Sequence, residues 1–357
     1  MSTLVLTILL PALTAFIIGF GITPLVSYYL YKHKVWKKKA GKGAGYGGGG
    51  TPIFDKLHQE KDTNTPRMGG IVIWGSVLLT TLLFAVLEVF QVNDGNFTLN
   101  FFSREQTWLP LIAFTSGAIV GFVDDLLIVR GTGKHFAGGL PLSQRLAVVI
   151  STATFIAWWF YAKLEVSSVS FFADNTVELG ILFIPFFVFV ATCVYMSSVI
   201  DGIDGLSGGV FMSIFAGYTG VALLQGQFDI AALCAVLVGS ILAFLWFNIP
   251  PARFYMTETG IMALTMTLTV IAFMTDVLGD GIGVSVLPII GLLLLITVAA
   301  NTIQILSKKI LKKKVFLVAP LHHHFEALGW PAEKVVMRYW VIGIVCAIIG
   351  VIIATTA

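Results

Sequence analysis

Four sets of side chains in this chain could do chemistry together. Asp124 and Asp125 are adjacent at the end of an apolar run, in GFVDDLL, and Asp201 and Asp204 lie three apart in IDGIDGLSGG. Glu258 follows NIPPARFYMT, and His322, His323 and His324 are consecutive in LHHHFE. Adjacent carboxylates repel unless a cation or a shared proton relieves them, so Asp124 and Asp125 suit Mg²⁺ binding or proton acceptance. A solvated helix end is the competing structural reading. The i, i+3 spacing of Asp201 and Asp204 would put both on one helix face, and Gly202, Gly205, Gly208 and Gly209 allow a ligand close to the backbone; a tight structural turn competes. Mg²⁺ is a hard ion that often bridges one or two carboxylates to a substrate phosphate, so a carboxylate-rich face without thiols points to diphosphate chemistry. Histidines can hold or polarise phosphate oxygens, or can simply occupy a surface loop. A zinc site fits poorly, because consecutive side chains do not share a helix face and no fourth ligand accompanies them.

The elements that must position these groups are membrane spans. Of the 357 residues, 57% are hydrophobic and 11% charged, against about 25% charged in soluble chains, and the mean hydropathy is +0.91. Runs long enough to cross about 30 Å of hydrocarbon lie near residues 3–31, 69–92, 108–129, 145–163, 178–200, 207–224, 228–248, 257–278, 283–306 and 337–356. The expected fold is therefore an all-α integral membrane protein, a single polytopic domain over residues 1–357 with ten transmembrane helices. Twenty of the 22 Lys and Arg residues fall in or beside the odd-numbered loops, and only Arg104 and Lys163 on the other side. By the positive-inside rule the odd loops are cytoplasmic and both termini extracytoplasmic, which brings all four chemical clusters to the cytoplasmic face.

Two of those loops are long. Residues 32–68 include GAGYGGGG at 43–50, read as a flexible linker because no Lys-Ser/Thr comes after it to complete a phosphate cradle. Residues 307–336 carry the histidines. The stretches WKKKAGK and KKILKKK set topology and attract anionic lipid headgroups. A net charge of +3 gives little support to a nucleic-acid partner. Cys193, Cys234 and Cys346 sit in apolar runs and read as packing residues. The first run lacks a basic leader and a small-residue cleavage site, so it is expected to stay in the membrane. Glu88 and Asn301, both inside spans, need partners that the sequence does not name.

Together NTPRMGG at 64–70, GFVDDLL at 121–127, DGIDGLSGG at 201–209, FNIPPARFYMTETG at 247–260 and LHHHFEALGWPAEKVVMRYW at 321–340 resemble the polyprenyl-phosphate N-acetylhexosamine-1-phosphate transferases. HHHFE and the GWPAE beyond it are most similar to the phospho-N-acetylmuramoyl-pentapeptide transferase branch. That resemblance, over the whole chain, implies transfer of phospho-MurNAc-pentapeptide from UDP-MurNAc-pentapeptide to undecaprenyl phosphate. The products would be lipid I and UMP, made for peptidoglycan at the bacterial cytoplasmic membrane with Mg²⁺ as cofactor; a homodimer is also implied.

Residue by residue, the resemblance carries Asp124 and Asp125 to activation and placement of the lipid phosphate, with Asp124 the proton acceptor in a direct attack; a covalent two-step route is the rival. Asp201, Gly202 and Asp204 match the nucleotide-facing motif. Asn248 matches a polar nucleotide or metal contact, Tyr255 the aromatic on which uracil stacks, and Lys61 a further substrate contact. Glu258 and Asp201 match the metal ligands, and His322, His323 and His324 the triplet that supports diphosphate binding.

The pattern departs from the family in places. Ser198 stands where the family has Asn, and MTETGI at 256–261 replaces MGDTGS, so Thr257, Glu258 and Ile261 take the places of Gly, Asp and Ser. Glu can hold Mg²⁺ through a longer arm, with altered geometry. The rival activities are a UDP-GlcNAc-type transferase, against which HHHFE argues, and a transporter or non-catalytic relative. The latter should carry its charges near the bilayer midplane or on broken helices.

Overall fold

Lipid offers no partner to a backbone N–H or C=O, so each crossing segment must close its hydrogen bonds internally as a helix. In this computed structural model, which describes residues 2–37, 64–90, 99–131, 139–172 and 175–356, ten helical segments among the described residues are long and apolar enough to cross a membrane. Lys61 and the glycine-rich 43–50 stretch lie outside the described residues.

The first four spans are α1 (Ser2–Lys32), α2 (Gly70–Val89), α3 (Trp108–Arg130) and α4 (Leu142–Lys163). A hairpin of β1 (Ser168–Phe171) and β2 (Asn175–Glu178) comes next, in antiparallel register with Ser168 opposite Glu178. The fifth span is α5 (Phe183–Met196) with a 3-10 turn at each end, over Gly180–Ile200. Then come α6 (Leu206–Leu224), α7 (Phe228–Asn248) and α8 (Thr257–Met274). A short α9 (Gly283–Ile290) precedes the ninth crossing, α10 (Leu292–Ile310). A short α11 (Leu321–Ala327) carries the histidines, and α12 (Ala332–Thr355) closes the chain.

Two features differ from the sequence expectation. The run at 283–306 is one apolar stretch but two helices: α9 holds Pro288 within it and ends at Ile290, with Gly291 as its cap and its N–H on the Leu287 carbonyl. The break carries Ile290, Gly291 and Leu292 and no charge, unlike the charged broken helices of a transporter site. The second is the hairpin, which hydropathy does not signal. It is tied down by Asp276, whose Oδ1 accepts from the Ser170 N–H (2.7 Å) and whose Oδ2 accepts from the Val284 N–H (2.9 Å). Ser285 donates its hydroxyl to the Ser170 carbonyl at 2.7 Å.

Helix α8 is the axis of the bundle and is buried along nearly all its length. Its threonines would be costly in an apolar core if unbonded, but Thr265, Thr267 and Thr269 donate to the carbonyls of Ile261, Ala263 and Thr265, four residues back. On one side Phe273 packs against Phe187 with ring centroids 4.4 Å apart, and against Phe160 and Phe183.

Candidate active site

The described residues that flank the loops after α1 and α3, the loops after α7 and α10 and the turn before α6 meet at one cavity, and the first turn of α8 is part of its lining. Glycines set its neighbours: a Cβ at Gly121 would collide with the Glu258 carbonyl, and one at Gly70 with the backbone of Gly260. Small residues let helices in a membrane approach to backbone contact. Here the approach brings Asp124 and Asp125, one turn past Gly121, against residues 257–259.

Asp125 is completely enclosed. Its Oδ1 accepts from Arg67 Nε (3.1 Å) and Nη2 (2.9 Å). Its Oδ2 accepts from the Thr257 hydroxyl, the Thr259 N–H (2.9 Å) and the Thr259 hydroxyl (2.6 Å). A buried carboxylate needs such donors; this one binds the segment at 64–70 to the start of α8. Asp124, its neighbour in sequence, is also buried, with Oδ1 accepting from the Leu140 N–H at 2.6 Å, and it is not among the residues lining the cavity.

Thr257 sits at φ +56°, in the left-handed region that a β-branched residue avoids and a glycine takes freely. The family's glycine, by the resemblance, is what that backbone asks for. Thr257 is held there by three bonds: its hydroxyl donates to Asp125, its N–H donates to Asp201 Oδ2 (2.9 Å), and its Oγ1 accepts from the Met68 N–H (3.2 Å).

Asp201 and Asp204 border the turn before α6. Asp201 Oδ1 accepts from the Ser207 hydroxyl at 2.6 Å; burial pushes this carboxyl up from its ordinary value, against the opposing bonds from Ser207 and Thr257. Asp204 Oδ2 accepts from the Ala252 N–H at 3.2 Å. Asn248 joins the same two loops: its Oδ1 accepts from Gly205 N–H (2.9 Å) and its Nδ2 donates to the Phe254 carbonyl (2.8 Å). Tyr255 is fixed by its main chain, its N–H on the Pro66 carbonyl and its own carbonyl accepting from Gly69 N–H.

Glu258 forms an ion pair through Oε1 with Arg145 Nη1, on the first turn of α4. Its Oε2 is buried and takes no hydrogen bond from any described residue, and Arg145 Nε is likewise buried without an acceptor.

The three histidines separate. His322 and His323 are buried and press on Gly202, where a Cβ would stand 2.5 Å from His322 Nε2 and 2.7 Å from His323 Nε2. His323 Nδ1 lies 2.6 Å from Glu326 Oε2. His324 turns to the loop before α11, where its Nδ1 accepts from the Leu317 N–H at 3.2 Å and its ring meets Phe316 edge-on.

A cavity of about 650 Å³ opens among these groups, with Arg67, Arg145, Asp201, Gly202, Asp204, Asn248, Tyr255, Glu258, Asn301 and Glu326 in its lining. That volume suits a nucleotide-sized ligand. Among the described residues no three His, Cys, Asp or Glu side chains form a ready metal cage. Mg²⁺ usually takes one or two carboxylates and completes its shell with water and phosphate, and the bare Glu258 Oε2 fits that need. Asp201, lining the same cavity, already accepts a hydrogen bond at each oxygen but retains further lone pairs.

Sequence reasoning alone overlooks Arg67, Arg145, Thr259 and Glu326. Arg145 counts there only as a topogenic charge, although a cation on the first turn of a helix opposes the macrodipole and calls for a nearby anion.

A model of glycosyl transferase family 4 matches residues 107–276. A phospho-N-acetylmuramoyl-pentapeptide-transferase of Anoxybacillus flavithermus is 31% identical over 353 residues, covering 97% of this chain and 97% of that protein. The protein of the same name from Ruegeria pomeroyi is 32% identical over 364 residues, covering 95% and 90%. That of Thermodesulfovibrio yellowstonii is 31% identical over 320 residues, covering 83% and 81%.

Proposed function

Since the chain belongs to the phospho-N-acetylmuramoyl-pentapeptide-transferase family, we propose that the cavity before α8 is where its donor and acceptor phosphates meet. The enzyme is a phosphoglycosyl transferase that moves phospho-MurNAc-pentapeptide from UDP-MurNAc-pentapeptide to undecaprenyl phosphate in peptidoglycan synthesis, giving lipid I and UMP. One observation carries the assignment of the site: residues from four separate motifs, Arg67, Asp201, Glu258 and Glu326, line one cavity.

In the reaction an oxygen of the lipid phosphate attacks the sugar-linked phosphorus of the donor. The bond from that phosphorus to the bridging oxygen breaks, and its electrons leave with UMP. Asp124 takes any proton remaining on the lipid phosphate, and Asp125 acts indirectly by fixing Arg67 and the α8 turn. Gly202 and Asp204 hold the nucleotide while uracil stacks on Tyr255, Asn248 keeps the two loops in register around it, and Lys61 adds a substrate contact. His322 and His323 support the diphosphate across Gly202, and His324 holds their helix to the preceding loop. Arg67, held on Asp125, supplies fixed positive charge where negative charge develops, and Arg145 lines the same cavity as a second cation. Mg²⁺ would be held by Glu258 with Asp201 and would neutralise diphosphate oxygens as a Lewis acid.

The distribution of basic residues supports a cytoplasmic site and extracytoplasmic termini, in the bacterial inner membrane. The family resemblance supports a homodimer.

Lipid I formation by purified protein, with and without Mg²⁺, tests substrate and cofactor together. UMP release is expected with UDP-MurNAc-pentapeptide and undecaprenyl phosphate and is expected to stop on chelation. Release with UDP-GlcNAc alone would assign another surface glycan, and unchanged rates after exhaustive chelation would remove the metal from the reading.

A further inference from the structure

The Arg145–Glu258 pair is placed where the cation is needed. Glu258 offers two oxygens: Oε1 is held by Arg145 and Oε2 is buried with no hydrogen bond from a described residue. The carboxylate is only 15% exposed and the guanidinium 20%, so water screens neither well. A divalent ion on Oε2 would stand within a few ångströms of the guanidinium, and two like charges that close repel strongly in a partly buried site. Arg145 also has somewhere else to go. It lines the same cavity as Asp201 and Tyr195, and one of its donors, Nε, is buried without an acceptor. A guanidinium short of an acceptor in the wall of a nucleotide-sized cavity is suited to a bidentate grip on phosphate oxygens.

We propose that Arg145 is a resident counter-ion of Glu258 that a divalent cation displaces, so that cation binding and transfer of Arg145 to the donor diphosphate are one exchange. The inference rests on Glu258 as a cation ligand and adds a second function to the residue paired with it. In the substrate-free enzyme the guanidinium neutralises a carboxylate that would otherwise be buried and uncompensated. When donor and cation arrive together, the cation takes Glu258 and Arg145 takes phosphate oxygens. Each ligand then removes an obstacle to the other, which makes their binding mutually favourable.

The test uses Mn²⁺ as the probe, its free concentration read by electron paramagnetic resonance, on purified full-length protein with and without UDP-MurNAc-pentapeptide. Without donor, Arg145→Gln is expected to bind Mn²⁺ at least about tenfold more tightly than the unsubstituted enzyme, because the competitor is gone; tenfold corresponds to about 1.4 kcal/mol. The extra Mn²⁺ affinity that donor confers should shrink at the same time. Unchanged or weaker Mn²⁺ binding by a variant that keeps its thermal unfolding transition overturns the proposal. If Arg145→Gln does not fold, Arg145→Lys serves: its single ammonium competes less well, so a smaller tightening in the same direction is expected, and no tightening again overturns it. Glu258→Gln separates the two levels. Loss of Mn²⁺ binding in Glu258→Gln without tightening in the arginine variants refutes the exchange alone, whereas normal Mn²⁺ binding in Glu258→Gln refutes the metal assignment beneath it.

Discussion

Arg67 places both Nε and Nη2 on a single oxygen of Asp125, at 3.1 and 2.9 Å, and leaves the other oxygen to two threonines of α8. The pair therefore joins three segments that are far apart in sequence. Removing one member of a buried ion pair costs about 3–5 kcal/mol. Asp125→Asn and Arg67→Gln should each lower the thermal unfolding temperature of the detergent-solubilised protein substantially. Equal stability in either variant would show that the pair does not hold the site together.

Asp124 lies beside this pair, yet the one hydrogen bond described for it comes from the Leu140 N–H. As the proposed proton acceptor, it should matter to turnover rather than to folding. Asp124→Asn is expected to reduce UMP release by about 10²–10⁴-fold, with the affinity for the UDP-linked donor little changed. Steady-state rates and direct donor-binding measurements decide, and near-normal turnover would refute the role.

Thr257 sets strain against hydrogen bonding. A left-handed backbone at a non-glycine residue costs about 1–3 kcal/mol, and a hydrogen bond to a charged group contributes about 1.5–3 kcal/mol. Thr257→Gly should therefore be close to neutral, because it loses both. Thr257→Val keeps the strain and loses the hydroxyl, so it should destabilise by about 2 kcal/mol or more. Chemical denaturation of the two variants side by side checks the order.

Glu258→Asp restores the family's residue but shortens the arm that reaches Arg145. If the longer side chain is tolerated rather than required, Mg²⁺-dependent activity should rise. A fall would mean that the Arg145 contact has become necessary in this chain. The rate of lipid I formation against Mg²⁺ concentration reports either result.

Far from the cavity, Asp276 gives a pH dependence. Burial raises its pKa from 3.8 to about 6, against the opposing hydrogen bonds from Ser170 and Val284. The folded state therefore binds the proton more tightly than the unfolded state does. The resulting stabilisation is complete below pH 3.8, declines as pH rises, and is gone above about pH 6. Asp276→Asn should remove this contribution, on the order of 2 kcal/mol, from the difference in unfolding free energy between pH 4 and pH 7. An identical pH profile in the variant would exclude Asp276 as its source.

Hydropathy and charge are enough to read the ten crossings and their shared loop face, because lipid imposes length and apolarity on every span. The same motifs put Asp201, Gly202, Tyr255 and Glu258 at one cavity. What stays hidden depends on contacts between distant segments. The enclosure of Asp125 needs Arg67, Thr257 and Thr259, none of which looks unusual where it stands. Arg145 disappears into a count of basic residues. The break at Gly291 sits inside unbroken apolar sequence, so hydropathy passes over it.

Backbone closes on the first turn of α8 from two sides, at Gly70 and at Gly121. The backbone that carries Glu258 is therefore closely braced, and in the proposed site the stretch from Tyr255 to Glu258 would act as a ruler of set length. Analogues that stretch or shorten the spacer between an aromatic base and its anionic group should be rejected outright rather than accommodated, so the linker of a competitive inhibitor matters as much as its ends.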